Sequence, residues 1–251
     1  MTSERTAIVT GAGKRVGAEI ARALVDDGWS VVAHVHHEAD DPPPGSVKVV
    51  ADLMDLSCAE SIFSATDGLP PVRLLVNNAS RFAWDDFGEF DPAQFNAHMA
   101  INVRAPALLT ERLTRQHDGA DGLIVNLLDS KLAAPNPDYL SYTLSKQALA
   151  GFTQLAARGL ARKNIRVNGI APGLMLRSSG QSEANFNAMH SRNPLGRGVE
   201  PRDIVHAIRY FVDAQSVTGQ VLVIDSGQRF MSLNRDVQFL SPSGGDLLEE
   251  E

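Results

Sequence analysis

Short apolar segments rich in Val, Ile and Leu alternate with segments of helical periodicity along most of this chain. Continuous apolar strands separated by helices are typical of a parallel sheet that is covered by helices on both faces. The pattern therefore predicts a single doubly wound α/β domain with a seven-stranded parallel sheet. The predicted strands are Thr6–Thr10, Ser30–His34, Val47–Ala51, Leu74–Asn77, Leu123–Leu128, Ile165–Ile170 and Val221–Ile224.

Helical periodicity predicts helices over Arg15–Asp27 and over Pro92–Gln116, with a kink at Pro106, and a further helix from Ser141 onward. No linker or composition shift precedes residue 230, so we expect residues 1–230 to form the domain. Five of the 30 acidic residues fall within 231–251, beside one arginine and several Ser, Gly and Pro residues. That composition predicts a solvated acidic C-terminal tail.

The composition excludes several classes of protein. The 251 residues carry a net charge of −7, which argues against a nucleic-acid binder because such proteins present a basic face. The one cysteine, Cys58, cannot form an internal disulfide, which fits a reducing compartment. No apolar run reaches about 18 residues, and the first residues, MTSERT, lack the pattern of a signal peptide. We therefore expect a cytoplasmic protein with neither a membrane nor a nucleic-acid partner.

A glycine-rich loop, Thr10–Gly17, lies between the first predicted strand and the first predicted helix. Glycines at such a turn let backbone N–H groups approach a pyrophosphate, which then lies at the positive end of the following helix. The spacing G-x-G-x-x-x-G is one residue longer than the common dinucleotide fingerprint. A tight turn without a ligand is the alternative interpretation. A P-loop is excluded because Lys14 is not followed by Ser or Thr.

Charged residues near this loop bear on which dinucleotide would bind. Lys14 and Arg15 offer two cations that suit a 2′-phosphate. Glu38, in contrast, lies 21 residues after Gly17, near the distance at which an acidic residue would hold the ribose of NAD. We favour NADP(H), because two cations outweigh one exposed carboxylate.

Three histidines follow one another closely around the end of the second predicted strand. His36 and His37 could donate hydrogen bonds to the same phosphate, which makes them candidate cofactor-binding residues. A metal site built from His34, His36 and His37 is the other interpretation. No carboxylate or cysteine cluster accompanies them, so no metal is predicted.

Tyr142 and Lys146 are four residues apart in a predicted helix, which places them on one face. A cation beside a phenol favours the phenolate and lowers the pKa of the tyrosine toward neutrality, which suits proton transfer. Asp129 follows the Leu123–Leu128 strand, at the carboxyl edge where parallel sheets bind ligands. A carboxylate there is costly to bury unless it has a hydrogen-bonding partner or a functional role. These three residues are therefore candidate catalytic groups.

Further motifs occur in a fixed order along the chain. They are Thr10–Gly17, Asp52, Asn77-Asn78-Ala79, Asn102, Tyr142-x-x-x-Lys146, Arg166–Gly173 and Thr218–Asp225. Together they resemble the short-chain dehydrogenase/reductase family over about residues 5–228. The resemblance implies a Rossmann fold, a nicotinamide cofactor and a homotetramer.

The resemblance also implies roles for individual residues. Tyr142 would be the proton donor or acceptor, and Lys146 would hold the nicotinamide ribose and lower the pKa of the tyrosine. Asn102 would position a proton-relay water, and Asp52 would contact the adenine. The residues expected to contact the cofactor are Gly11, Lys14, Arg15, Val16, Gly17, His36, His37, Asp52, Leu53, Asn78, Ala79, Ser80, Tyr142, Lys146, Pro172 and Gly173.

Two departures from the common family pattern narrow the resemblance. Arg15 stands where the family usually has glycine, and Asp129 stands where it usually has serine, 13 residues before Tyr142. Both exchanges are similar to the pteridine reductase branch, which includes bacterial dihydromonapterin reductases. By that resemblance Phe82 would stack on a pterin ring, with Ser80 nearby. The implied substrate site comprises Ser80, Phe82, Asp129 and Tyr142.

The chemistry of a carboxylate at position 129 agrees with this branch. Reduction of a pterin C=N bond needs hydride at carbon and a proton at the ring nitrogen, which a carboxylic acid can supply or relay. An ionised Asp129 would repel the alkoxide that forms during ketone reduction. We therefore expect NADPH-dependent reduction of a dihydropterin (dihydromonapterin, dihydrobiopterin or dihydrofolate) beneath a polar lid over about residues 174–200. The alternatives are a carbonyl reductase of 3-oxoacyl or sugar substrates and a non-catalytic cofactor-binding regulator.

Overall fold

The computed structural model describes residues 4–178, 180–231 and 233–240. The strands within these ranges are β1 (Thr6–Val9), β2 (Ser30–Val35), β3 (Ser46–Val50), β4 (Val72–Asn77), β5 (Gly122–Leu127), β6 (Ile165–Pro172) and β7 (Val221–Ile224). The α-helices are α1 (Arg15–Asp26), α2 (Cys58–Ser64), α3 (Pro92–Met99), α4 (Ala105–Gln116), α5 (Leu140–Leu160), α6 (Glu183–His190) and α7 (Pro201–Asp213).

The seven described strands form one sheet in the order β3-β2-β1-β4-β5-β6-β7. Each neighbouring pair is parallel, and Ile8, for example, lies opposite Val32 on one side and Leu75 on the other. The doubly wound α/β fold predicted from the alternation of strands and helices is therefore confirmed. The strand order reverses between β1 and β4, and ligands of open α/β sheets bind at the carboxyl ends of the strands beside such a reversal.

Helices cover both faces of this sheet with apolar side chains. On one face, α1 and α7 contribute buried residues such as Ile20 and Phe211. On the other face, α2 and α4 contribute Phe63 and Leu109 among others. The central strands are buried on both faces, which is why their sequences are apolar at successive positions rather than alternating.

The region predicted as one helix over Pro92–Gln116 contains an irregular turn. A π-helix over Ala100–Arg104 separates α3 from α4. Pro106 has no N–H, so it cannot donate the α-helical hydrogen bond to the carbonyl oxygen of Asn102. The irregularity thus lies in the turn before the proline, and this turn contains the candidate residue Asn102.

The C-terminal residues that the structure describes differ from the predicted solvated tail. Leu240 is buried, and its carbonyl oxygen accepts a 2.7 Å hydrogen bond from Nδ2 of Asn185 in α6. Arg235 forms an ion pair with the buried Asp138, with 2.8 Å between Nη2 and Oδ1. Residues 233–240 therefore pack against the domain, where buried polar side chains bind their backbone and side-chain groups. Residues 241–251, which hold the other four acidic residues of the predicted tail, lie outside the described residues.

Across the described part of the chain, no helix is both long enough and apolar enough to cross a membrane.

Candidate active site

A cavity of about 720 Å³ lies across the carboxyl ends of the strands, next to the reversal between β1 and β4. The predicted site residues that line it are Gly11, Lys14, Arg15, Val16, Gly17, His36, His37, Asp52, Leu53, Asn78, Ala79, Ser80, Phe82, Asp129, Tyr142, Lys146, Pro172 and Gly173. The structure thus brings the predicted cofactor, substrate and catalytic residues together around one space. Asn102 does not belong to its lining.

Close packing explains the glycines of the loop between β1 and α1. A Cβ on Gly17 would lie 2.1 Å from the carbonyl oxygen of Gly11 and 2.5 Å from Nδ2 of Asn78. Gly11 itself has a φ of +68°. Among the described residues, no side chain caps the N-terminus of α1 and no acid lies in its first turn. The N–H groups of this turn are therefore open to an anion such as a pyrophosphate.

His34 holds the glycine loop, a role that sequence reasoning missed. Its Nδ1 accepts a 3.1 Å hydrogen bond from N of Gly11, so Nε2 carries the proton and donates to the carbonyl oxygen of Ala51 at 3.0 Å. Burial lowers the pKa of His34, which keeps the ring neutral. Both ring nitrogens are engaged, so neither is free for a metal ion. The available signal was a histidine in an otherwise apolar strand.

Arg15 has a left-handed backbone conformation, with a φ of +53°. This conformation costs a residue with a side chain about 1–2 kcal/mol and favours glycine, the residue that the resembled family usually has here. Nη2 of Arg15 donates a 3.1 Å hydrogen bond to the carbonyl oxygen of Arg177. The side chain therefore joins the glycine loop to the segment that was predicted as the lid.

The region after β2 presents His36, His37 and Asp40 to the cavity, and not Glu38. Glu38 does not line the cavity; its side chain is 86% exposed and pairs with Lys48, with 3.4 Å between the charged atoms. His36 and His37 do line it, and their ring centroids lie 4.0 Å apart. The carboxylate that would favour NAD thus faces a lysine on the neighbouring strand.

Tyr142 and Asp129 form the polar centre of the cavity. The hydroxyl of Tyr142 donates a 2.7 Å hydrogen bond to Oδ2 of Asp129. Oδ1 of Asp129 accepts a 2.8 Å hydrogen bond from N of Lys131, at the start of a short 3₁₀ turn. Lys146 donates from Nζ to the carbonyl oxygen of Leu127 at 2.7 Å, and this Nζ lies 5.7 Å from the centroid of the Tyr142 ring. The phenol and the carboxylate thus hold each other, while backbone groups hold the carboxylate and the ammonium.

The pKa of Tyr142 is raised well above its ordinary value, so the predicted shift of this pKa toward neutrality was wrong. Burial is the largest cause, and the charge of Asp129 and the hydrogen bond to it add to the effect. The prediction left out both burial and the neighbouring carboxylate. Burial also lowers the pKa of Lys146 to about 8. The phenol therefore keeps its proton at neutral pH.

Asn102 lies behind the cavity wall and connects two parts of it. Its Oδ1 accepts a 2.8 Å hydrogen bond from N of Arg81, and its Nδ2 donates to the carbonyl oxygen of Arg81 at 3.0 Å. The same Nδ2 donates to Oγ of Ser145 in α5 at 2.9 Å. Asn102 therefore ties the segment that carries Phe82 to the helix that carries Tyr142. Its role in holding a relay water stays a prediction.

Phe82 is 41% exposed and lines the cavity beside the catalytic pair. Its ring stacks on Tyr139 with centroids 4.1 Å apart and meets Tyr142 edge-on at 4.7 Å. Tyr139 thus supports Phe82 from one side. The exposed part of the Phe82 ring can stack on a planar ligand.

A carboxylate from the loop after Phe82 caps the helix that carries Tyr142. Asp85 is 2% exposed, and its Oδ1 accepts a 2.9 Å hydrogen bond from N of Ser141. Its Oδ2 accepts a second hydrogen bond from Oγ of Ser141. Tyr139, which directly precedes α5, has a φ of +56° and supplies no capping side chain. Sequence reasoning missed this cap because it comes from 56 residues away.

The C-terminal segment 233–240 forms a further part of the wall, which sequence reasoning also missed because the segment follows the last strand. Nζ of Lys131 lies 3.5 Å from Oδ2 of Asp236 and anchors the segment beside Asp129. The members of this segment that line the cavity are Leu233, Arg235, Asp236 and Val237.

Comparisons with known proteins agree with this architecture. A family model described as "Enoyl-(Acyl carrier protein) reductase" matches residues 11–229. The L-xylulose reductase of Bos taurus is 32% identical over 236 residues, which cover 89% of this chain and 96% of that protein. Pteridine reductase 1 of Leishmania tarentolae is 29% identical over 285 residues, with 90% of this chain and 98% of that protein covered.

A solved structure is also similar over nearly the whole length of both chains. It is FolM alternative dihydrofolate reductase 1 from Brucella canis, complexed with NADP, which is 35% identical in sequence. The TM-score is 0.86, and the match covers 92% of this chain and 96% of that chain.

Proposed function

This chain belongs to the short-chain dehydrogenase/reductase family of oxidoreductases, and we propose from that premise that it uses NADPH to reduce a dihydropterin. The uncapped N-terminus of α1 and the closely packed glycine loop before it fit the pyrophosphate of a dinucleotide. When bound, a reduced nicotinamide supplies hydride to the substrate. The ribose of that cofactor would be held by Lys146 and Tyr142, and its adenine by Asp52 and Leu53.

We propose NADP(H) rather than NAD(H) because of the charges at the adenosine end of the cavity. Lys14, Arg15, His36 and His37 all line this end and can donate hydrogen bonds to a 2′-phosphate. Glu38, which would favour NAD, pairs with Lys48 outside the lining. The NADP bound to the Brucella canis FolM supports the same choice.

The hydrogen bond from Tyr142 to Asp129 is the observation that carries the choice of a pterin. A carbonyl reductase needs donors around the substrate oxygen, because that oxygen gains negative charge as the ketone is reduced. Here the phenol donates to a carboxylate, whose charge would oppose an oxyanion. A C=N bond has a different need, since its nitrogen must receive a proton while its carbon receives hydride.

Tyr142 and Asp129 can meet that need together. The raised pKa of Tyr142 keeps a proton on the phenol, and the hydrogen bond connects it to the carboxylate. One proton passes from this pair to the ring nitrogen, and solvent returns one proton to the pair. Phe82 would stack on the pterin so that its C=N bond faces the pair, with Ser80 at the edge of the ring.

A carbonyl reductase is the second candidate, because the bovine L-xylulose reductase is 32% identical to this chain. Asp129 opposes it for the electrostatic reason above. A non-catalytic regulator is a weaker candidate, since the cavity retains Tyr142 and Lys146 with a hydrogen-bonded carboxylate.

A substrate panel tests the proposal. NADPH oxidation by the purified protein is followed with dihydromonapterin, dihydrobiopterin, dihydrofolate, L-xylulose and a 3-oxoacyl thioester. We expect turnover of at least one dihydropterin and a lower kcat/KM for both carbonyl substrates. Turnover of the carbonyl substrates alone would sink the proposal, and NADPH binding without any turnover would favour a regulator.

A further inference from the structure

Besides Asp129, Asp40 and Asp52, the cavity is lined by a further carboxylate that the proposed proton transfer does not use. Asp236, in the C-terminal segment 233–240, lines the cavity with 20% of its side chain exposed. Its Oδ1 accepts a 3.2 Å hydrogen bond from N of Gln238, and its Oδ2 lies 3.5 Å from Nζ of Lys131. Each carboxylate oxygen has two lone pairs, so both oxygens can accept a further hydrogen bond.

Hydrogen bonds and ring stacking connect the segment that carries Asp236 to Phe82. Its N donates a 2.7 Å hydrogen bond to Oδ2 of the buried Asp138. Two residues further on, Oε1 of Gln238 accepts a 2.7 Å hydrogen bond from the hydroxyl of Tyr139. Tyr139 in turn stacks on Phe82. A carboxylate with a fixed backbone thus lines the same cavity as the exposed Phe82 ring.

Asp236 acts electrostatically on Tyr142, as Asp129 does, and is itself affected by Asp129. Burial raises the pKa of Asp236 most strongly, Lys131 opposes this, and the charge of Asp129 adds to the rise. The charge of Asp236 also contributes to the raised pKa of Tyr142. A carboxylate held in this way is costly to bury, and a ligand that brings N–H donors would offset that cost.

We propose that Asp236 is a specificity-determining residue that binds the amidine edge of a pterin, an assignment that rests on the proposed function. The 2-amino group and the adjacent ring N–H of a 2-amino-4-oxopteridine form two parallel donors. A carboxylate accepts such a pair in the same bidentate way as it accepts a guanidinium. Sugars and 3-oxoacyl substrates lack this pair, so Asp236 distinguishes pterins from the carbonyl substrates of related reductases.

Two matched ligands test the assignment. 6-Hydroxymethylpterin and 6-hydroxymethyllumazine differ in having an amino group or an oxygen at position 2, and both are titrated against the complex with NADP⁺ by fluorescence. We expect the wild type to bind the pterin about tenfold or more tightly than the lumazine, as a charge-assisted hydrogen bond requires. Asp236→Asn should weaken pterin binding about 10- to 100-fold and abolish the preference, with NADP⁺ affinity unchanged.

Lys131→Gln is the matched control, because it removes the ion pair and leaves the carboxylate. It should retain the preference for the pterin. If Asp236 acted only through its ion pair with Lys131, both Lys131→Gln and Asp236→Asn would lose that preference. Asp236→Ala is a second variant, used if Asp236→Asn does not fold.

The outcomes separate this assignment from the proposed function. Equal binding of the two ligands by the wild type, or an unchanged preference in Asp236→Asn, overturns the assignment while dihydropterin reduction stands. If the wild-type protein oxidises NADPH with none of the dihydropterins in the panel, both the proposed function and this assignment are overturned.

Discussion

The hydroxyl of Tyr142 donates a 2.7 Å hydrogen bond to Oδ2 of Asp129, and N of Lys131 holds the other oxygen of that carboxylate at 2.8 Å. Each oxygen of the Asp129 carboxylate thus has a protein partner before any substrate binds. A fixed carboxylate and a phenol that keeps its proton favour proton delivery to nitrogen over stabilisation of an oxyanion. The predictions below follow from this pair and from the groups that position it.

Asp85 should control the placement of Tyr142 through the N-terminus of α5. Asp85→Ala leaves N and Oγ of Ser141 without their acceptor, so we expect a loss of about 1–3 kcal/mol of unfolding free energy. We also expect kcat to fall while NADPH affinity is unchanged. Urea unfolding and steady-state kinetics measure both effects.

A double-mutant cycle with Ser141→Ala assigns the loss to the capping contact. The two losses should not add, because the residues share one contact. Glu89→Ala, an exposed change in the same loop, is the control and should leave stability unchanged. Additive losses for Asp85 and Ser141 would contradict the capping role.

Arg15→Gly should separate cofactor affinity from stability. Glycine relieves the left-handed backbone at this position, so the free energy of unfolding should stay constant or rise by about 1 kcal/mol. The affinity for NADPH should fall about tenfold or more, because one phosphate-binding cation is lost, while the affinity for NADH changes little. Equal losses of NADPH and NADH affinity would mean that Arg15 does not contact the 2′-phosphate.

The affinity for NADPH should decline at alkaline pH because of Lys146. Burial lowers the pKa of Lys146 to about 8, so the ammonium that would hold the cofactor ribose is lost as pH rises through that value. We expect the Kd to rise up to about tenfold per pH unit above pH 8. Lys146→Gln should bind weakly at every pH. A Kd that stays constant to about pH 10 would contradict this role.

His34 should make stability fall in mild acid. Burial lowers its pKa in the folded protein, so the unfolded chain binds the proton more readily. The stability that neutral His34 contributes is full above its unfolded pKa of about 6.5 and declines as pH falls below it toward the folded value. Unfolding free energies across this range should fall less steeply in His34→Gln, with the exposed His36→Gln as a control. Parallel curves for His34→Gln and the wild type would contradict the assignment.

The sheet could be predicted from the sequence because buried parallel strands are apolar along their whole length, a local property. The carboxyl edge also follows from topology, which is why the sequence alone identifies Asp129 as a candidate. Tyr142 follows instead from its four-residue spacing to Lys146. The predicted NADP(H) preference, homotetramer and cytoplasmic location stay predictions.

The supporting contacts could not be predicted in the same way. Asp85 acts on α5 across 56 residues, and Asp236 meets Lys131 across 105. Such pairs depend on how loops pack after the sheet has formed, and neither hydrophobic periodicity nor motif spacing contains that information. The raised pKa of Tyr142 escaped prediction for the same reason, since burial is a property of the assembled site.

The kcat/KM of Asp129→Ser with NADPH and dihydromonapterin, compared with the wild type, tests the central claim most directly. This exchange introduces the residue that the family usually has while keeping a small polar side chain. We expect kcat/KM for the dihydropterin to fall about 100-fold or more, with NADPH affinity unchanged and activity toward L-xylulose equal to or above that of the wild type. An Asp129→Ser variant that reduces dihydromonapterin as efficiently as the wild type would contradict the account.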